Sequence, residues 1–316
     1  MNRLRAFRFT TRLALLGIAA STASLAIAWS GLTLPWYVEV VGHFQYGYAA
    51  AAAAAVLVAV ALRAKQDVRI LLALGLPVFA LHFASLDGLP RATASANGTL
   101  TVVSFNAHYA NEDAARLAGY LAAGNPDLVG IVELAPGMTK GLEAKLAALP
   151  HRVLLPGTVE GLGLFSRYPV ELLHQRSGAD APDAWPAIIV RVHATGGPVT
   201  VALMHPPPPL RELAPEHAAQ MADFGRRLAA IPGPVIALGD LNATPWSASY
   251  RRFRREAGLE AGYPGALGPA SWPTVAPVAL LPVDHVLARG FEVVSGARGP
   301  DLGSDHYPVL ARLARR

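Results

Sequence analysis

Residues 235–245, VIALGDLNATP, and residues 304–308, SDHYP, decide how this chain is read. Val235–Leu238 is a short apolar run of the kind that fills a buried strand. It stops at Gly239, and Asp240 and Asn242 follow within three residues. Ser304, Asp305 and His306 stand just before a second apolar run, PVLARL. Polar groups at strand ends sit on a rigid scaffold yet open to a cleft, as a site requires. A single Asp or Asn after a strand is ordinarily a turn former, and a single His is ordinarily structural. The weight lies in recurrence. Asn106 ends TLTVVSFN, Glu133 ends DLVGIVEL, His205 ends VTVALMH, and Asp284 lies in PVDHVLA beside His285.

Outward from these points the pattern is α/β. Further strands read at 162–165, 187–193, 199–204, 283–287 and 307–313. Helical spacing marks 112–124, which stops at Gly124-Asn125-Pro126, and returns over 214–230 and about 247–257. Two strand groups with helices in their connections predict a two-sheet core flanked by helices. No G-x-x-x-x-G-K-[ST] phosphate loop occurs.

The first 98 residues have another texture. The chain is 53% hydrophobic and only 16% charged, against roughly 25% charged in a soluble domain, and the dilution is local. Apolar stretches run over about 13–35, 45–62 and 70–86. A span needs about 20 apolar residues, so residues 1–87 are expected to form a membrane anchor of three transmembrane helices. Residues 88–98 read as a linker and 99–316 as the catalytic domain. The alternative for the first stretch is a cleaved signal peptide, which leaves the other two unexplained. Arg3, Arg5, Arg8 and Arg12 precede the first span, and Arg63, Lys65 and Arg69 lie between the second and third. The positive-inside rule puts those segments in the cytoplasm. A multi-pass protein of the cytoplasmic membrane follows, with its catalytic domain outside the cell.

The net charge of +5 belongs to this anchor. Residues 1–98 hold eight basic and three acidic residues, leaving nineteen of each in 99–316. A neutral domain gives no electrostatic footprint for a polyanion. The absence of cysteine excludes disulfides, thiolate metal sites and a cysteine nucleophile.

VVSFN, DLVGIVEL, GLGLFSRYP, ALMH, GDLNATP, VDHVL and GSDHYP stand in the order of the endonuclease/exonuclease/phosphatase superfamily, which this chain resembles over about 99–316. The resemblance implies a four-layered α/β sandwich (DNase I-like) and metal-dependent hydrolysis of phosphate esters. HPPPPL and SWPT resemble the bacterial branch with N-terminal membrane spans, similar to VanJ and YafD. By the same resemblance Glu133 would be a principal divalent-metal ligand, with Asn106 and Asp305 completing the metal site. Such hard oxygen donors suit Mg²⁺ or Mn²⁺. Asp240 would activate the attacking water and Asn242 would hold the phosphate. His306, oriented by Asp284, would contact a phosphoryl oxygen. His205 would act at the leaving-group oxygen. The sequence departs from the family at Val132, where Gln is frequent, and at His108, where some nucleases carry an acid. His285, one residue from Asp284, should face the other side of its strand and reads as structural.

Three functions compete. The first is hydrolysis of a phosphate ester or pyrophosphate in a lipid-linked substrate at the outer membrane face, favoured by tethering and the neutral domain. The second is an extracytoplasmic nuclease, whose best feature is Arg251, Arg252, Arg254 and Arg255; such a run is ordinarily a solvated helix face. The third is a non-enzymatic binding module, disfavoured by the intact polar set. Nothing points to a protein partner. The four prolines after His205 read as a stiff exit that positions it, with a wall of the cleft as the alternative. Trp185, Trp246 and Trp272 read as packing, with an apolar pocket as the alternative.

Overall fold

The computed structural model describes residues 3–30, 35–61, 68–75, 99–177, 185–262, 269–275 and 281–316. Among these, residues 99–316 carry twelve strands in two six-stranded sheets. β1 (Thr99–Asn106), β2 (Leu128–Val132), β3 (His151–Leu155), β4 (Leu162–Ser166), β11 (Phe291–Arg298) and β12 (Val309–Arg315) form one sheet, in the order β11-β12-β1-β2-β4-β3. β5 (Val170–Arg176), β6 (Ala187–Ala194), β7 (Gly197–Met204), β8 (Val235–Asp240), β9 (Glu260–Ala261) and β10 (Asp284–Arg289) form the other, ordered β5-β6-β7-β8-β10-β9.

Period-2 alternation decides what each central strand packs on. In β1, Leu100 and Val102 enter the core between the sheets, with Leu164, Val201, Ile236 and Val286. Val103 and Phe105 face outward onto α5 (Ala114–Gly124) and α6 (Pro136–Glu143). On the second sheet, Ala202, Met204 and Ala237 face α7 (Ala214–Ala230) and α8 (Ala248–Ala257). The layers are therefore helix, sheet, sheet, helix, as the resemblance implied. Gly130 on β2 faces Leu238 of the other sheet so closely that a Cβ there would overlap its side chain.

Local chemistry sets the helix limits. Asp113 caps α5 by accepting the Arg116 N–H at 2.9 Å, and left-handed Asn125 ends it. His217, Gln220, Met221, Phe224 and Leu228 make the buried stripe of α7, spaced as an amphipathic helix requires. Ser247 caps α8 and Gly258, at φ +64°, closes it.

β1 and β2 are parallel, as are β7 and β8, while β12 and β10 run antiparallel to β1 and β8. The C-terminal ends of β1, β2, β7 and β8 thus share one rim with the starts of β10 and β12. The eight residues assigned to the site from sequence lie on or beside that rim.

The N-terminal segment differs from the expectation of three separate spans. α1 (Arg3–Ser30), α2 (Trp36–Gly42), α3 (Gln45–Ala61) and α4 (68–75) are helices. Among the described residues no single helix is long and apolar enough to cross a membrane; α2 and α3 satisfy that test only together, bent by 55°. The segment between the first two expected spans is not an open loop. It forms α2, which packs on the catalytic domain, because a carboxylate and an imidazole there find partners on it. Leu71 of α4 packs with Ala14, Ile18, Ala55 and Ala59 of α1 and α3. Most of the third expected span and the whole 88–98 linker lie outside the described residues.

Candidate active site

The rim gathers its side chains around one atom, Oδ2 of Asp240. Asn106 donates its Nδ2–H to that oxygen at 3.1 Å and to Glu133 Oε1 at 2.9 Å. Nε2 of His205 and Nε2 of His306 each stand 3.7 Å from it. Asp240 Oδ1 accepts the Asn242 backbone N–H at 2.8 Å. Asp284 is the register partner of Asp240 across β8 and β10, and its Oδ2 lies 2.7 Å from His306 Nδ1. Six of the eight residues chosen from sequence therefore meet in one hydrogen-bonded and ion-paired cluster. The other two adjoin it. Asn242 Nδ2 sits 3.3 Å from His205 Nε2 and donates to Pro206 O at 3.0 Å. Asp305 lines the same cavity, with its Oδ2 accepting the Trp272 indole N–H at 3.0 Å.

Backbone strain helps aim the set. Glu133 has φ +53° and Asn242 φ +48°. A left-handed conformation at a residue other than glycine costs of order 1–3 kcal/mol and persists only where surroundings enforce it. Tyr109 N–H donates to Glu133 Oε2 at 3.2 Å, and Ser304 ties its segment to the end of β1 by donating to Asn106 O at 2.8 Å.

Electrostatics separates the roles. Burial alone would lower the pKa of His306, but the charge and hydrogen bond of Asp284, with Asp240 and Asp305, push it up to about 9. At neutral pH it is an imidazolium. Burial, then the neighbouring charge of Asp284, raises Asp240, against the opposing pull of His306, His205 and the Asn242 N–H. His205 Nδ1 lies 3.2 Å from Val159 O, which makes it the protonated nitrogen and turns Nε2 toward the carboxylates.

The donor set fits a divalent cation. Glu133, Asp240, Asp284 and Asp305 line or adjoin a cavity of about 430 Å³ whose lining, among the described residues, includes no Lys or Arg. Buried carboxylates repel a phosphate unless a cation intervenes. Asp284 Oδ1 is buried with no hydrogen-bond partner. Asp240, Asp284 and His306 are the one group of three acids or histidines, among the described residues, with ligand atoms close enough to share a metal. His306 Nδ1 is already engaged by Asp284, so that trio reads as a proton-handling group. Glu133 presents carboxylate oxygens at the same rim, beside the Asn106 side chain, whose Nδ2–H is turned to them and whose Oδ1 accepts the His108 N–H at 2.9 Å.

Other residues fall into structural places. His285 is fully buried under α8 and its Nε2 lies 2.7 Å from Ala243 O; burial lowers its pKa to about 4. Trp185 and Trp272 line the cavity, whereas Trp246 is buried against Tyr46 of α3. Pro208 and Pro209 line the cavity as well, so the proline run is both a stiff exit and part of a wall. The arginines of α8 do not line it. Sequence reasoning missed Val159, which acts through its backbone carbonyl, and Val40, His43 and Phe44, which enter the cavity from the N-terminal segment. A histidine at the edge of an apolar stretch was the one visible signal.

Known proteins share this fold. The chain is similar in structure to zebrafish (D. rerio) TDP2 complexed with single-strand DNA product, at 18% identity and TM-score 0.58, covering 69% of this chain and 99% of that one. It is similar to an endonuclease/exonuclease/phosphatase from Bacteroides vulgatus, at 18% identity and TM-score 0.56, covering 70% and 100%. A third similar structure, from Beutenbergia cavernae, has 21% identity and TM-score 0.53, covering 69% and 72%. At such identities the likeness concerns the fold. No curated protein matches. The family model for the endonuclease/exonuclease/phosphatase family matches residues 103–306, from β1 to the histidine of the Asp284 pair, and the chain belongs to that family.

Proposed function

We propose that this protein hydrolyses a phosphate ester or pyrophosphate bond in a lipid-linked substrate, using a divalent metal, at the outer face of the cytoplasmic membrane. One observation carries the reading: the Asp284–His306 pair, Asp240, His205 and Asn242 converge on a cavity lined, among the described residues, by carboxylates but no Lys or Arg. A polyanion such as nucleic acid calls for a cationic track, and this lining has none.

The side chains divide the work. Asp240 accepts a proton from the attacking water, and its raised pKa makes it a better base than an exposed carboxylate. The His306 imidazolium neutralises charge growing on a phosphoryl oxygen, held in orientation by Asp284. Asn242 supplies a neutral donor to the same group. As the bond from phosphorus to the leaving oxygen breaks, His205 passes that oxygen a proton from Nε2 when the ring carries protons on both nitrogens, and is left with its Nδ1–H on Val159 O. Glu133, with Asn106 and Asp305, would hold a divalent metal, which would supply further charge neutralisation and lower the pKa of water. The basic segments of the anchor favour the extracytoplasmic orientation, and tethering raises the local concentration of a lipid substrate.

The test is phosphate release from a polyprenyl pyrophosphate by full-length protein in detergent, with Mg²⁺, with EDTA and with Mn²⁺ restored. Plasmid and single-stranded DNA are offered in parallel. Metal-dependent release with intact DNA is expected. DNA cleavage without lipid turnover would replace this reading with that of a nuclease.

A further inference from the structure

We propose that the anchor is part of the substrate site: α2 and the turn after it form the wall that binds the apolar chain of the substrate beside the reacting phosphate. This rests on the lipid-phosphate reading above and names the residues that would serve it.

The active-site cavity has two sources of lining. The catalytic domain supplies the polar end, with Glu133, His205, Asp240 and His306. Val40, His43 and Phe44 come from the other side, about 200 residues away in the chain. Phe44 is 45% exposed, and Leu210 and Trp272, which line the same cavity, are 44% and 37% exposed. Large apolar side chains left open around a polar centre, with few polar groups to orient a ligand, describe a site for an amphiphile. With no Lys or Arg in the lining, this end offers nothing to a second anionic group.

The wall is held in place by specific contacts. Glu39 Oε1 accepts the Ser249 backbone N–H at 2.9 Å. That N–H lies in the first turn of α8, where helix geometry leaves donors unpaired and favours a negative charge. Thr244 N–H donates to His43 Nδ1 at 3.4 Å, an acceptor role open to a neutral ring; burial lowers this histidine to about 4 despite Glu39 nearby. Tyr46 packs edge-on against Trp246 with ring centroids 4.9 Å apart. Thr244, Trp246 and Ser249 belong to the stretch that follows Asp240 and Asn242. The anchor therefore grips the segment leading from the catalytic aspartate and presents Phe44 to its cavity. A plain tether would need none of these contacts. Beyond the wall, α3 carries exposed Leu57 and Val60, side chains that a bilayer would cover.

The experiment compares kcat/KM for isopentenyl and farnesyl pyrophosphate, using detergent-solubilised full-length protein. The wild type should favour the longer chain by about tenfold or more, since one or two methylenes in an apolar pocket are worth roughly 10–200-fold. Phe44→Ala should draw that ratio toward one, mainly through a higher KM for farnesyl pyrophosphate. Phe44→Leu should restore most of it. If the wild type prefers the longer chain and both Phe44→Ala and Val40→Ala keep that preference, the wall is refuted while the function stands. Equal wild-type turnover of the two also refutes it. If the wild type hydrolyses neither of these nor a longer polyprenyl pyrophosphate, the lipid-phosphate reading fails and takes the wall with it.

Discussion

Replacing Asp284 by Asn leaves the shape of the site almost unchanged and removes the charge that holds His306 as a cation. The two groups lie 2.7 Å apart, with Asp284 fully buried. The rise of His306 from an ordinary 6.5 to about 9 represents on the order of 3 kcal/mol of preference for the charged ring. Asp284 is the largest source of that rise, with smaller contributions from Asp240 and Asp305. Without Asp284, burial pulls the ring toward the neutral state and its Nδ1 loses the partner that fixes its orientation. If the imidazolium stabilises the transition state, the loss is about a hundredfold in kcat or more. The assay is phosphate release by wild type and Asp284→Asn from pH 5.5 to 10, under saturating Mg²⁺, with circular dichroism to confirm folding. Wild-type activity should fall as pH rises through about 9, where His306 loses its proton. In the variant that alkaline limb should move to lower pH and the plateau should drop. A folded variant within threefold of wild type, with its alkaline limb in place, would refute the assigned role of the pair.

Three further outcomes follow from other contacts. His205→Ala should lower kcat by about 10²–10⁴ on an alkyl phosphate but far less on p-nitrophenyl phosphate, whose leaving oxygen needs no proton; equal losses would remove His205 from the leaving-group side. His285 is neutral when folded, lowered by burial to about 4 from 6.5, so its contribution to stability is present above about pH 6.5 and is lost as pH falls toward 4. The unfolding free energy should fall across that window by on the order of 3 kcal/mol from this group, read as a lower thermal midpoint, and His285→Gln should be less stable at pH 7 with a shallower acid slope; an unaltered slope would count against it. Gly239 has φ +135° and a Cβ there would overlap the Met204 carbonyl oxygen, so Gly239→Ala should cost several kcal/mol in thermal unfolding, and a variant melting within a degree of wild type would contradict the close approach of β7 and β8.

What the sequence disclosed follows the position of each strand in its sheet. β1, β2, β4, β6, β7, β8, β10 and β12 were legible, and all are interior strands with apolar faces on both sides or nearly so. β3, β5, β9 and β11 were not read, and they are the four sheet edges. An edge strand pairs on one side only and tolerates polar residues: β5 reads VELLHQR and β11 FEVVSGAR, both largely exposed or half-buried. Their pairing is dictated by the neighbour already in place, information that lies in β6 and β12. The same logic separates what was seen of the site from what was missed. Asn106, Glu133, His205, Asp240, Asp284 and His306 advertise themselves because each interrupts an apolar run at its end. Val159 acts through a carbonyl, which no side chain announces. Phe44 and Val40 are apolar residues at the border of apolar stretches, so nothing local distinguishes a wall of the cavity from a span. Only the pairing of Glu39 with Ser249 and of His43 with Thr244, across some 200 residues of chain, makes that segment part of the enzyme. Hydropathy alone gave the segment between the first two apolar stretches no place, whereas its few polar atoms have partners on the folded domain, and those partners set where it lies.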